Sequence, residues 1–198
     1  DFHTVTASRV FHVPPEQVTP ELRRRAKAVN FGIVYGISAF SLAQDIGVTV
    51  AEAKEYMERY FETYQGVRQY MTDVVEKAER DGFVQTLMHR RRALPELKSS
   101  NFNLREFGKR VALNMPVQGT AADIMKLAMV RVHRRLKRER LRARLLMQVH
   151  DELIVECPAS EQEQVERLLT EEMEQAASLS VPLIAEAHSG KNWLAAKE

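Results

Sequence analysis

Four side chains in the segment 19–36 recur at a spacing that suits a phosphorylated ligand. In order they are Arg23, Lys27, Phe31 and Tyr35. In a helix, residues four apart lie on one face, so these form a stripe of two cations and two rings. The free N–H groups and dipole of the helix N-terminus add to the cations in attracting phosphate, and the rings offer a flat surface to a base or sugar. The pattern slightly favours a polyphosphate site over an amphipathic helix with buried rings and solvated cations.

A second candidate group contains two adjacent carboxylates. Apolar segments, 145–149 and 153–155, flank His150, Asp151 and Glu152, which predicts a hairpin with these three residues in its turn. Adjacent carboxylates suit Mg²⁺, with Mn²⁺ as an alternative, and such ions usually share substrate phosphates. The matching chemistry is phosphoryl or nucleotidyl transfer with two metal ions. A solvated acidic turn is the alternative, and no other aspartate of the chain has a comparably convincing setting.

A third group carries polar side chains on a long helical pattern. Arg110, Asn114 and Gln118 are spaced four residues apart and share a face if the helix continues past Pro116. Such side chains hydrogen-bond bases and sugars, although an ordinary polar face explains the spacing equally well. Asn103 with Glu106 predicts a capping box at the start of this helix, and Pro116 with Gly119 predicts a kink or two segments.

Local signals predict the elements that position these groups. Thr19 and Pro20 begin a helix that runs to about Tyr35 and stops at Gly36. Further helices are predicted over 50–65, 67–81 and 161–177, and short strands over 83–87 and 181–187. The fold class is therefore α+β, with a mostly helical first half followed by helices and a small antiparallel sheet.

Composition excludes several classes of protein. The 198 residues are 44% hydrophobic and 28% charged, which is typical of a globular chain rather than a disordered or fibrous one. Cys157 is the only cysteine, so a disulfide framework and a Cys-cluster zinc site are excluded. No apolar run is long enough to span a membrane, so we expect no membrane partner and a reducing, cytoplasmic location.

The net charge of +2 hides an uneven distribution. Residues 100–144 hold 12 basic and 3 acidic side chains, whereas residues 145–198 hold 3 basic and 11 acidic ones. A positive block next to a negative one suggests a polyanionic partner beside a metal-binding or solvated acidic face.

Taken together, these segments resemble the C-terminal part of the family A DNA polymerases, the family of bacterial DNA polymerase I. The resemblance is carried by residues 23–36, 110–123 and 148–152 and by the opening segment 1–7, in the family's order, and it covers essentially the whole chain. It implies a mostly helical fingers subdomain over residues 1–100 and part of a palm over residues 101–198.

The resemblance also implies a role for each site residue. It implies triphosphate contacts by His3, Arg23 and Lys27, proton donation to pyrophosphate by Lys27, contacts to the sugar and base by Phe31, and contacts to the templating base by Tyr35 and Gly36. It further implies primer–template contacts by Arg110, Asn114, Gln118 and His150, and metal binding by Asp151 with Glu152 nearby. The implied partners are primer–template DNA, a deoxynucleoside triphosphate and two Mg²⁺ ions.

One departure from the family pattern shapes the expected activity. The family's other catalytic aspartate lies in a motif upstream of the fingers, and no such motif occurs in these 198 residues. We therefore expect a fragment that polymerises only with the remainder of the polymerase supplied. The rival interpretations are a non-catalytic nucleic-acid-binding module, part of a single-subunit RNA polymerase, and a plain helical scaffold.

Overall fold

The computed structural model describes residues 1–197, and helices account for most of them. The predicted α+β class is confirmed. The chain divides into two compact units, one spanning Asp1–Val117 and the other starting at Gln118. The predicted division into residues 1–100 and 101–198 as fingers and palm stays a prediction.

Five helices open the first unit. They are α1 Phe2–Phe11, α2 Pro20–Val34, α3 Ala39–Ile46, α4 Val50–Thr63 and α5 Gln65–Asp81, with a short 3₁₀ turn at Pro15–Gln17. Side chains of Asp1, Thr19, Ser38 and Thr49 cap the first four helices. The predicted capping box at Thr49 and Glu52 is confirmed. These caps satisfy backbone N–H groups that a helix leaves without partners.

The core of the first unit decides which face of α2 remains open. Val10, Val29, Ile33, Leu42 and Tyr60 are buried together in one cluster. Ala26, Val29, Asn30 and Ile33 form the buried side of α2. Since these positions fill the side that faces the core, the stripe of residues 23, 27, 31 and 35 lies on a different side, in solvent.

A small hairpin and a long helix complete the first unit. Strand β1, Phe83–Gln85, pairs antiparallel with β2, Arg91–Ala93, and a 3₁₀ turn follows at Pro95–Lys98. Helix α6 then runs from Phe102 to Arg138 and continues into the second unit.

The start and the continuity of α6 differ from the predictions. The Asn101 side chain accepts the N–H of Leu104, so the cap lies before the predicted capping box at Asn103 and Glu106, which is wrong. The helix also passes through Pro116 without a break, so of the two predicted alternatives, a kink or two segments, the second is wrong. A proline removes one backbone donor, but packing of the helix's apolar residues supplies most helical stability in proteins.

The second unit adds a hairpin and a helix to the end of α6. Strand β3, Arg144–Val149, pairs antiparallel with β4, Glu152–Glu156, and helix α7 spans Gln162–Glu174 after a 3₁₀ turn at Ala159–Glu161. Val132, Leu136, Ala143, Val165 and Leu168 form its core. Residues 181–187 are not a strand, so that prediction is wrong. Their alternation of apolar side chains finds no partner strand, and Pro182 has no N–H to donate to one.

Ion pairs within the second unit join the basic and acidic blocks. Arg131 pairs with Glu172 at 2.8 Å, and Arg135 pairs with both Glu139 at 2.7 Å and Glu171 at 2.6 Å. Part of the uneven charge distribution is therefore neutralised within the second unit. Among residues 1–197, no helix is both long and apolar enough to cross a membrane.

Candidate functional site

The aromatic rings of α2 are open to solvent. Phe31 and Tyr35 are 45% and 43% exposed, and their rings stack with centroids 6.1 Å apart and an interplanar angle of 18°. The alternative in which these rings fill the core is therefore wrong. Two parallel, exposed rings form a surface on which a base or sugar can stack.

The cations of the same stripe differ in their partners. Arg23 Nε lies 2.5 Å from Asp1 Oδ2, and the neighbouring Arg24 and Arg25 both pair with Glu21. The Lys27 ammonium lies 5.9 Å from the Phe31 ring centroid and has no acidic partner within residues 1–197. Exposed ion pairs are weak, so a phosphate can displace Asp1 from Arg23 at little cost.

His3 reaches this face from α1. Its ring lies 5.7 Å from that of Phe31, and its Nδ1 lies 2.9 Å from Nδ2 of the buried Asn30. Burial, followed by the charges of Arg23 and Lys27, lowers the pKa of His3 below its usual value. With the Asn30 amide donating to Nδ1, the neutral ring carries its hydrogen on Nε2, where it can donate to an anionic ligand.

Asn30 is a site residue that the sequence reasoning missed. It is 5% exposed, and its Oδ1 is buried without a hydrogen-bond partner. Its amide nitrogen contacts His3 Nδ1, so this buried side chain is connected to the open face of α2 through His3. Asn30 lies outside the repeat of residues 23, 27, 31 and 35, on the buried side of α2, so that repeat gave no signal for it.

Gly36 brings the end of α2 against α6. Its φ of +71° is unfavourable for other residues, and a Cβ there would lie 3.1 Å from both Arg110 Cγ and Leu113 Cδ1. A cleft of about 320 Å³ opens beside this contact, and Gly36, Arg68, Lys109 and Arg110 are among its lining residues. Two of the residues predicted to bind DNA, Gly36 and Arg110, are therefore neighbours.

The other two residues of the predicted α6 stripe have different surroundings. Asn114 is half-buried, and its Oδ1 is a buried oxygen without a hydrogen-bond partner. Gln118 is exposed and belongs to the second unit. Because α6 is unbroken, the two residues keep the helical spacing of four that places them on a common helix side.

The turn of the second hairpin is shorter than predicted. His150 and Asp151 form it, His150 with a φ of +52°, whereas Glu152 is the first residue of β4 and pairs with Val149. The prediction that Glu152 belongs to the turn is therefore wrong, because the ladder extends one pair further. His150 and Asp151 are both exposed.

The two adjacent carboxylates have contrasting surroundings. No side chain or backbone group within residues 1–197 bonds to the Asp151 carboxylate. Glu152 Oε1 lies 2.9 Å from Lys197 Nζ, and Oε2 accepts the indole N–H of Trp193 at 3.2 Å. The hydrogen bond from Lys197 lowers the pKa of Glu152, and burial only partly opposes it.

The residues present can supply part of a divalent-metal site. No three His, Cys, Asp or Glu side chains in the described part of the chain gather around a possible metal position. Mg²⁺ is usually bound by one or two carboxylates together with substrate phosphates and water. Asp151 fits one such position because it is exposed and unbonded, whereas both oxygens of Glu152 are engaged.

Comparison with known proteins identifies the family. A family model described as DNA polymerase family A matches residues 1–195. The chain belongs to DNA polymerase family A. Its curated relatives include the DNA polymerase I of Bacillus caldotenax, 55% identical over 100% of this chain, and that of Mycobacterium leprae, 50% identical over 99% of it.

A solved structure has the same fold. The POL domain of Pol1 from M. smegmatis, in complex with DNA primer-template and dNTP, superposes with a TM-score of 0.94 at 49% identity. It matches 100% of this chain and 35% of the compared chain. The chain spans 22% of the length of the B. caldotenax and M. leprae relatives. The predicted resemblance to family A is confirmed.

Proposed function

We propose that this chain takes part in template-directed DNA synthesis, the transfer of a deoxynucleotide to a primer 3′-hydroxyl with release of pyrophosphate. The observation that carries the proposal is the open face of α2. Two cations and two stacked rings share this surface with His3, whose ring is hydrogen-bonded to Asn30. Family membership and relatives named DNA polymerase I support the reaction class. They also favour a DNA polymerase over a single-subunit RNA polymerase.

The α2 face provides the groups that an incoming nucleotide needs. Arg23, Lys27 and neutral His3 would hold the triphosphate through charge and N–H donation. Phe31 would contact the sugar and base, and Tyr35 would abut the templating base. Lys27, which has no competing carboxylate within residues 1–197, would donate its proton to the pyrophosphate oxygen as the P–O bond breaks.

Asp151 would hold the divalent metal together with substrate phosphates and ligands from the rest of the polymerase. Two Mg²⁺ ions, when bound, supply activation of the 3′-hydroxyl and charge stabilisation at the transferred phosphate. The chain's own contribution is a carboxylate fixed at a two-residue turn, which the paired strands hold in place.

The DNA contacts would come from α6, from the turn at Gly36 and from the hairpin turn at His150. Arg110 beside Gly36, together with Asn114 and Gln118, would contact primer–template along the helix, and His150 would do so beside Asp151. The proposed partners are primer–template DNA, a deoxynucleoside triphosphate and the remainder of the polymerase. A cytoplasmic location stays a prediction.

Primer extension by Asp151→Asn tests the enzymatic proposal. In a polymerase assembled with this chain as its segment, extension should fall by roughly 100-fold or more, because losing a metal ligand weakens metal binding and charge stabilisation together. Primer–template affinity should stay within about twofold, since one exposed carboxylate contributes little to DNA binding. Glu163→Gln is the matched control, because Glu163 is exposed on α7 and should leave extension unchanged.

The same experiment separates the enzyme from a binding module. Unchanged extension by Asp151→Asn would remove Asp151 from the metal site and overturn the proposal. Absence of extension by the assembled wild type, with intact DNA binding, would favour the non-catalytic module.

A further inference from the structure

Glu152 is held by two residues from the end of the chain. Lys197 Nζ lies 2.9 Å from one carboxylate oxygen, and the Trp193 indole N–H donates to the other at 3.2 Å. Lys197 Nζ also lies 4.8 Å from the centroid of the Trp193 ring, within range of a cation–π interaction. We call these three side chains the Glu152 clasp.

The clasp gives each oxygen of the Glu152 carboxylate one hydrogen-bond donor. Each of its three side chains contacts both of the others, so the cluster is closed. It joins the start of β4 to a segment that forms no strand and no regular helix after residue 187. All three side chains are 40–50% exposed by surface area, and exposed ion pairs stabilise a fold very little. The clasp therefore affects the position of the Glu152 carboxylate more than it affects the stability of the second unit.

We propose that Trp193 and Lys197 are positioning residues that withhold the Glu152 carboxylate from metal coordination and leave Asp151 as the ligand. The inference rests on the proposed function, because it concerns the metal site of that reaction. Two adjacent carboxylates would otherwise compete for the same ion. With the clasp formed, Glu152 connects the hairpin to the C-terminal segment, whereas the Asp151 carboxylate stays accessible to a metal ion.

Removing the clasp should strengthen metal binding rather than weaken it. Lys197→Met keeps most of the side-chain volume but removes the ammonium, which frees one oxygen of Glu152. The Mn²⁺ affinity of the full chain, measured by the electron paramagnetic resonance signal of free Mn²⁺, should rise by about threefold or more, because a second carboxylate raises affinity for a hard cation. Trp193→Phe, which lacks the indole N–H, should also raise the Mn²⁺ affinity.

A matched control separates this effect from simple loss of positive charge. Lys191 lies in the same segment and is exposed, with no hydrogen bond or ion pair within residues 1–197. Lys191→Met removes the same charge and should change Mn²⁺ affinity much less than Lys197→Met does. The double variant Lys197→Met with Glu152→Gln should return to the wild-type affinity, because the freed carboxylate is then absent.

Tryptophan fluorescence gives a second readout without activity. Trp193 is the only tryptophan of the chain, so its emission reports the clasp directly. Lys197→Met should change this emission, and saturating Mg²⁺ should leave the wild-type emission unchanged because Glu152 stays bound. A wild-type emission that Mg²⁺ shifts to that of Lys197→Met, or a Lys197→Met affinity equal to that of Lys191→Met, would overturn the proposal.

The outcomes distinguish this inference from the proposed function. If Asp151→Asn leaves primer extension unchanged, the proposed function fails, whatever the Mn²⁺ affinities of the variants are. If extension is lost in Asp151→Asn but Glu152→Gln weakens Mn²⁺ binding as much as Asp151→Asn does, only the clasp proposal fails.

Discussion

At the scale of single residues, the chemistry of His3 is set by groups that are far away in sequence. Asn30 fixes one ring nitrogen, while burial and then the charges of Arg23 and Lys27 disfavour a second proton. The His3 ring is therefore neutral and carries its hydrogen on Nε2. That form can donate to a phosphate at pH 7 without the cost of keeping a third cation beside two others.

The lowered pKa of His3 predicts a response to charge removal. Lys27→Met should raise the pKa of His3 toward its usual value, because one of the cations that disfavours protonation is lost. The His3 ring resonances in a pH titration by nuclear magnetic resonance measure this directly. Arg24→Gln is the control, since it removes a cation of the same helix that does not act on His3. Equal titration curves for wild type and Lys27→Met would contradict the assigned cause.

At the scale of elements, α6 and α7 are joined by a network of ion pairs. Burial alone would raise the pKa of Glu172, but hydrogen bonds and charge from Arg131 and Arg135 hold it below its usual value. Hydrogen bonds from Arg135 and Gln164 lower the pKa of Glu139 in the same way. Carboxylates with lowered pKa values stabilise the folded state above their unfolded pKa, and this stabilisation is lost as pH falls through the folded value.

The ion-pair network between α6 and α7 therefore predicts that the free energy of unfolding decreases in acid. Glu172→Gln should lower the free energy of unfolding at pH 7 by about 1 kcal/mol, since a charge-assisted hydrogen bond is lost. The difference from wild type should shrink as pH falls through the lowered pKa of Glu172, because the wild-type carboxylate then becomes protonated too. Urea unfolding followed by circular dichroism, at pH 7 and in steps toward acid, gives the comparison. Glu163→Gln, on the same helix, serves as control, and a difference that grows in acid would contradict the assignment.

Some elements were predictable because their signals are local. Thr19 and Pro20 begin α2, and Thr49 with Glu52 caps α4, as expected from a few adjacent residues. Two of the wrong predictions depended on contacts with residues outside the segment. Residues 181–187 alternate like a strand but have none to pair with, and α6 keeps its helical form through Pro116 because it is packed along its length.

At the scale of the whole chain, several of the residues predicted for the site lie on the surface of their own unit. The stripe of α2 is open, Gly36 meets Arg110, and Asp151 is free at its turn. The sequence could not reveal the contacts that tune them. The Asn30–His3 pair spans 27 residues and the Trp193–Glu152 pair spans 41, and no local pattern encodes such contacts.

The number of metal ligands predicts what the chain can do unaided. Because the upstream motif with the family's other catalytic aspartate does not occur in these 198 residues, we expect them alone to extend a primer at roughly 1% or less of the assembled polymerase's rate. Adding the remaining segments of a family A polymerase should restore extension. Robust extension by the chain alone would show that a second ligand of the metal lies within it.

The open rings of α2 also govern how the free protein behaves when concentrated. Exposed apolar faces tend to associate with copies of themselves, and Phe31 and Tyr35 present such a face. The charges of Arg23 and Lys27 repel a second copy at this position, and added salt weakens that repulsion. The surface that we propose for the nucleotide therefore makes the solubility of the unliganded chain sensitive to ionic strength.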